Sequence, residues 1–317
     1  MKRILSITLA AFFIISDAYA GDTIREHVKF LSADIGKRNT SNYDSLQRAA
    51  DYIKEEFIKY GYDPEEQSYH MQKKGFRDKP YRNIIAVKEG SGRKDKIIII
   101  CAHYDTYCEA PGADDNASGV AAVLELARRA RDVDLDKTVK FIAFTNEEVD
   151  ILFDDPDTGS YRYAKEAKAT HEDIEAVLCI DMIGYYSDEP GSQKYPLIFK
   201  FFYPDKGNFI GICAETGSSN LLRKVVDEFK KASDMPVEYM AAPAPLVPEL
   251  VTSDNRAFWT FGYEAVWFSD TCIYRNPYMH TKGDTYGTLD YQRMSRVVDG
   301  LYKVVLKLAG KGALYGE

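Results

Sequence analysis

Histidines and carboxylates recur in this chain just after apolar runs. Lys96 to Ala102 leads into His103-Tyr104-Asp105, Thr138 to Thr145 into Asn146-Glu147-Glu148, and Ala176 to Ile180 into Asp181. A fourth run, Ala265 to Phe268, leads into a loop that reaches His280. As strands of one open sheet, these runs would bring the polar groups to one edge, since such sheets bind ligands outside the carboxyl ends of their strands. Carboxylates a few ångströms apart repel one another and lose hydration, and a divalent cation relieves both costs. Imidazole and carboxylate without thiolate suit zinc first, with manganese or cobalt as alternatives. Two histidines and three carboxylates exceed the roughly three protein ligands of one catalytic zinc. That surplus points to two ions sharing a bridging carboxylate, about 3.5–4 Å apart.

Each group has a plainer reading when taken alone. A His-x-Asp at a strand end is usually structural, a Glu-Glu pair is usually a solvated face, and Asp181 could cap a turn. Their joint occurrence, in order and at strand ends, is what separates a site from coincidence, because short motifs match by chance. His27, His70 and His171 fall outside the pattern and read as surface or packing residues.

The elements that would position these groups alternate between strand and helix. Ile97-Ile98-Ile99-Ile100 is a continuous β-branched run, as expected of a strand buried on both faces. Further strands are expected over Tyr81 to Val87, Thr138 to Thr145, Ala176 to Ile183, Asn208 to Cys213 and Ala265 to Phe268. Helical periodicity marks Asp22 to Leu31, Ser45 to Tyr60 (closed by Gly61), Ala117 to Arg131, Gly159 to Ala169, Ser218 to Ala232 and Tyr291 to Ala309. The alternation predicts an α/β fold, a three-layer α/β/α sandwich with a mixed, mostly parallel central sheet. Asp150 to Thr158 and Tyr185 to Gly207 read as loops over the core. The aromatic density of the second suggests a β-hairpin, with Phe199 to Tyr203 packed in it rather than lining a pocket. In the first, Asp154, Asp155 and Asp157 read as a solvated turn.

Lys2 and Arg3, the apolar run Ile4 to Ile15 and the small-x-small Ala18-Tyr19-Ala20 form a secretory signal, with cleavage expected before Gly21. The run is shorter than the about 20 residues that span a bilayer, so an exported, periplasmic or secreted protein without membrane insertion is expected. Residues 21–317 then read as one catalytic domain. A net charge of -8 argues against a nucleic-acid partner. The five cysteines are odd in number, so at least one is unpaired within the chain; Cys101 and Cys179 sit in apolar runs and read as core residues. Asn39-Thr40-Ser41 and Asn116-Ala117-Ser118 are glycosylation sequons.

Cys101-Ala102-His103-Tyr104-Asp105-Thr106, followed by Pro111-Gly112-Ala113-Asp114-Asp115-Asn116-Ala117-Ser118-Gly119-Val120, resembles the di-zinc aminopeptidases of metallopeptidase family 28, of the bacterial leucyl aminopeptidase type. Asn146-Glu147-Glu148, Asp181-Met182 and His280-Thr281-Lys282-Gly283-Asp284-Thr285 are similar to further blocks of that family, in the same order, and the likeness spans residues 22–310. The resemblance implies a phosphorylase/hydrolase-like zinc exopeptidase fold and a role for each residue. His103, Asp115 and Asp181 would bind one zinc; Asp115 would bridge to a second, completed by Glu148 and His280. Asp105 would orient His103. Glu147 would be the general base toward a metal-bridging water. Gly112 and Gly119 would suit a tight metal loop and a close helix approach. Asp115-Asn116 would carry an unusual backbone geometry. One position departs from the family: Met279 stands where many relatives place a tyrosine that stabilises the oxyanion, and Tyr278 is one residue further away. Tyr278, Met279 and Arg275 are therefore candidate substrate contacts.

Peptides are the expected substrates, and an aminopeptidase is the first reading. A carboxypeptidase or dipeptidase of the same fold would need a cationic clamp, for which Arg256 and Arg275 are candidates. A glutaminyl cyclase would use one zinc. A non-catalytic binding domain would be expected to lack a ligand or the base, and none is missing.

Overall fold

The isoleucine run of β3 (Lys96–His103) sits at the middle of the molecule. A computed structural model describes residues 21–148, 156–196 and 199–310. The expected signal, most of the Asp150 to Thr158 stretch and the extreme carboxyl terminus lie outside them. Eight strands form one sheet in the order β1-β2-β4-β3-β5-β8-β6-β7. They are β1 (Glu65–His70), β2 (Pro80–Lys88), β3, β4 (Thr138–Phe144), β5 (Asp173–Ile180), β6 (Ile210–Glu215), β7 (Val237–Ala242) and β8 (Ala265–Ser269). β4, β3, β5 and β8 are parallel neighbours. β1, β2 and β4 pair antiparallel; on the other side β6 runs antiparallel to β8 and parallel to β7.

Strand alternation divides the core in two. Ile98, Ile100 and Ala102 face a cluster built with α2 (Tyr43–Lys59), α3 (Gly119–Ala130), α5 (Ser219–Ala232) and α7 (Tyr291–Ala309), and with the helix over residues 21–29, here α1. Ile97, Ile99 and Cys101 face α4 (Gly159–Ala169) and α6 (Asn255–Thr260). These are the expected helical layers on both faces. The second face is less fully covered: over β8, β6 and β7 it is roofed by loops, and a cavity lies beneath them.

Several expectations shift. β1, β7 and α6 were not anticipated. The Tyr185 to Gly207 stretch holds no strand among its described residues; single backbone bonds, Ser187 N to Gly207 O and Gln193 N to Asp205 O, close it as a loop. Asp157 is buried rather than solvated, and its carboxylate accepts the amides of Gln72 and Lys73 at 2.6 and 2.8 Å. All five cysteines are free, with Cys101 and Cys179 buried side by side on β3 and β5. His27 is a packing residue, bonded to the hydroxyls of Tyr52 and Tyr60. No described helix is long and apolar enough to cross a membrane.

Candidate metal centre and active site

Three parallel strands end side by side, and their next residues carry the chemistry. His103 is the last residue of β3, Asp181 follows β5, and Glu147 and Glu148 follow β4 after a left-handed Asn146 (φ 61°). Asp105, just past β3, accepts the amides of Glu147 and Glu148 at 3.0 and 2.9 Å. It thereby fixes the backbone of the glutamate pair as well as facing His103 Nδ1 at 3.6 Å.

Asp115 and His280 stand on loops. Ala113–Ser118 leaves helical geometry at Asp115 and Asn116, and the peptide bond between these two is cis. Gly112 enters the loop with φ 64°, and at Gly119 a Cβ would strike the carbonyl of Ile180, so α3 approaches the end of β5 only through glycine. Asn116 ties the loop to that strand: Nδ2 donates to Ile180 O, while Oδ1 accepts from Gly119 N and Met182 N. Asn116 is fully buried, so a glycan on that sequon would not fit this fold. Asp284, beyond His280, accepts the amides of Asp114 and Asp115 at 2.8 and 3.1 Å. Buried Arg38 donates to the carbonyls of Tyr104, Pro111 and Gly112 at 2.6–2.7 Å, and burial lowers its pKa to about 10. Sequence reasoning assigned no role to Arg38 or Asp284, whose partners lie far away in the chain.

The loops bring Asp115 and His280 to the strand ends. His103 Nε2 lies 3.3 Å from Asp181 Oδ1 and 3.4 Å from Asp115 Oδ1. His280 Nε2 lies 3.0 Å from Asp115 Oδ2 and 3.1 Å from Glu148 Oε1. One ring nitrogen between two carboxylate oxygens cannot donate fully to both. The spacing suits a shared cation instead: tetrahedral ligands at about 2.0–2.1 Å from zinc lie roughly 3.3 Å apart. Asp115 Oδ2 and Glu148 Oε1 are buried without a hydrogen-bond partner, as unused donor atoms of a metal site would be. The donors form two groups, His103, Glu147 and Asp181 in one, Asp115, Glu148 and His280 in the other, with the atoms of each within 4.8 Å.

Burial and mutual repulsion push the site's glutamates toward the neutral form, which a bound cation would oppose. Burial, then the charges of Glu148 and Asp181, push Glu147 well above the usual carboxylate range, against the pull of His103. Burial and Asp115 push Glu148 up to about 8. Burial opposes protonation of His280, yet contacts with Asp115 and Glu148 carry it up to about 10. Burial also raises Asp254, at the start of α6, to about 7, and neither of its oxygens has a hydrogen-bond partner among the described residues.

Asp115, Glu147, Glu148, Asp181 and His280 line a cavity of about 320 Å³. Its walls are mainly apolar, with Tyr195, Phe199, Tyr203, Leu250, Trp267 and Met279 among them. Phe199 and Tyr203 therefore line a pocket, contrary to the packed-hairpin expectation. Met279 reaches the wall; Tyr278 and Arg275 are not among the lining residues. Tyr278 packs edge-on against Tyr185 at 6.0 Å. Arg275 is buried, donates to Gln193 Oε1 and Phe209 O, and tethers loops instead of facing a substrate.

The family model described as "Peptidase family M28" matches residues 83–305. An Escherichia coli (strain K12) protein, "Uncharacterized protein YfbL", is 34% identical over 88% of this chain and 86% of its own length. Among solved structures, the Bacillus subtilis zinc aminopeptidase BSAP superposes with a TM-score of 0.72 at 16% identity, covering 91% of this chain and 95% of its own. A Porphyromonas gingivalis glutaminyl cyclase superposes with a TM-score of 0.68 at 18% identity, covering 91% and 98%. At such identities the two structures speak for the fold alone.

Proposed function

The chain belongs to peptidase family M28, and on that premise we propose that it is an exported aminopeptidase with two zinc ions, removing large apolar residues from the amino terminus of peptides. The observation that carries this reading is Asp115, whose two carboxylate oxygens each face a different imidazole. His103, Asp181 and Asp115 would hold one ion, and Asp115, Glu148 and His280 the other. Zinc, when bound, polarises the scissile carbonyl and lowers the pKa of water to about 7.

The remaining work falls to the chain's own residues. Glu147 borders the cavity beside His103 and Asp181, while Glu148 turns to His280. Glu147 is the general base: its carboxylate takes a proton from the attacking water and returns it to the leaving amine nitrogen. Asp105 holds the amides of both glutamates in register for that division of roles. The apolar wall receives the first side chain and keeps water from the bond being cut. No tyrosine is assigned to the oxyanion, since Met279 occupies the wall. The leader at residues 1–20 supports export.

A carboxypeptidase would clamp a carboxylate with arginine. Arg275 is committed to loop carbonyls, and Lys194 is the one lysine or arginine on the wall among the described residues. A cyclase shares the fold, but two donor groups joined by one aspartate favour two ions over one.

The test is hydrolysis of aminoacyl-p-nitroanilides, amino-blocked peptides and glutaminyl peptides by the zinc-loaded protein, before and after chelation. Chelator-sensitive cleavage confined to free-amine substrates supports the reading. Cleavage of blocked peptides, or cyclisation of glutaminyl peptides without hydrolysis, would overturn it.

A further inference from the structure

Eight large hydrophobic residues are exposed among the described residues, and five of them line one cavity or lie within two residues of its lining. Tyr239 and Ile273 line the cavity and are still 45% and 63% exposed. Phe201 and Phe202, 75% and 77% exposed, lie between the wall residues Phe199 and Tyr203. Leu246, 75% exposed, precedes the wall residue Val247. The segments belong together: Tyr203 donates its hydroxyl to the carbonyl of Tyr239 at 3.3 Å and stacks on Tyr195 at 5.9 Å. Single exposed apolar residues need no explanation, but a rim of them around a cavity marks a binding surface.

From this arrangement we infer that the rim of Phe201, Phe202, Tyr239, Leu246 and Ile273 binds apolar residues of the peptide substrate beyond its first, so that the preferred substrate is a peptide with an apolar amino-terminal stretch. The inference rests on the aminopeptidase reading and adds a substrate class to it. Two features commit the rim to substrate. Tyr239 and Ile273 line the same cavity as Asp115, Glu147 and His280, and the other three lie on segments that also line it. The cavity's about 320 Å³ also falls in the size range of pockets that enclose drug-sized ligands, about 300–1,000 Å³, which leaves room beyond one side chain. An extended chain laid across these side chains gains affinity from each apolar contact it covers.

The test uses the full zinc-loaded chain and two peptides with the same first residue, Leu-Gly-Gly-Gly-amide and Leu-Val-Phe-Ala-amide, following release of the first leucine. The apolar peptide is expected to have a kcat/KM about tenfold higher, through KM, equivalent to about 1.4 kcal/mol. In F201S/F202S/L246S that ratio should fall toward one. These side chains are exposed, and thermal unfolding together with zinc content checks that the variant is folded and loaded. A ratio near one in the unsubstituted protein, or an unchanged ratio in the variant, overturns the inference and leaves the aminopeptidase reading standing. Failure to release leucine from either peptide overturns both. A rim serving a membrane would appear as binding to phosphatidylcholine–phosphatidylglycerol vesicles that is lost in the variant, with no peptide discrimination, and that outcome too overturns it.

Discussion

The two imidazoles of the site are held in different ways. His103 ends a strand with parallel neighbours on both sides, and its side chain is 1% exposed. His280 stands on a loop with a left-handed backbone (φ 60°), and its side chain is 32% exposed. Its position depends on contacts outside the sheet. One face of the ring stacks on Tyr107 at 4.2 Å and 14°, and Asp284 bonds the amides of the Asp115 loop it must meet. The strand half is preorganised by the same hydrogen bonds that build the sheet. In the loop half, His280 is positioned by side-chain contacts rather than by a strand. The shared carboxylate, Asp115, joins a rigid group to an adjustable one.

The largest effect expected is on the base. Glu147→Gln should lower kcat by on the order of 10²–10⁴-fold while zinc content stays unchanged. Loss of zinc in that variant would make Glu147 a ligand of the strand half and redraw the comparison. Next, titration with a chelator should remove zinc in two phases, the first leaving the loop half. His280→Ala should then resemble the protein after the first phase, and His103→Ala should not. A single phase would mean that the two halves bind as a unit and that the difference in their anchoring has no energetic consequence.

Legibility in the sequence follows the same division. β3 was readable because Ile97 to Ile100 are buried by helical layers on both faces of the sheet, so composition alone marks it. β1, with the sequence Glu-Glu-Gln-Ser-Tyr-His, is an edge strand largely open to solvent and carries no such signature. β7, at the opposite edge, was missed for the same reason. The aromatics of Phe199 to Tyr203 were misread because the density that suggests packing also builds a pocket wall. In the site, His103, Glu147, Glu148 and Asp181 could be placed from the ends of apolar runs. His280 was reached only through the loop after a fourth run, and Asp115 needed the family resemblance. Their supports could not be placed: Arg38 meets Gly112 across 74 residues and Asp284 meets Asp114 across 170, and no local pattern encodes such pairings.

Tyr107 sharpens the comparison more gently. Tyr107→Ala should weaken zinc binding by the loop half about 10–100-fold, as the loss of a group that orients a metal-bound imidazole does. Chelator competition would measure this, and the first phase alone should move. Tyr107→Phe keeps the stacked ring and should restore the affinity. If Tyr107→Phe fails as badly as Tyr107→Ala, the hydroxyl rather than the stack matters.

The smallest expected effect on neutral-pH activity concerns a third histidine, which separates loss of the site from loss of the fold. His27 is buried against Tyr52 and Tyr60, and burial holds its pKa down to about 4. The unfolded chain therefore binds this proton first as pH falls from 6.5, the ordinary value, so His27 lowers stability progressively until about pH 4. The full shift is worth about 3 kcal/mol. Urea unfolding between pH 7 and 4 should show the loss, and His27→Gln should flatten it. Zinc should also leave as pH falls, because its ligands must be deprotonated to bind it. If His27→Gln flattens the stability curve but zinc still departs over the same pH range, the loss is local to the site. If zinc is then retained to lower pH, its departure in the unsubstituted protein followed unfolding, and the loop half is better secured than its anchoring suggests.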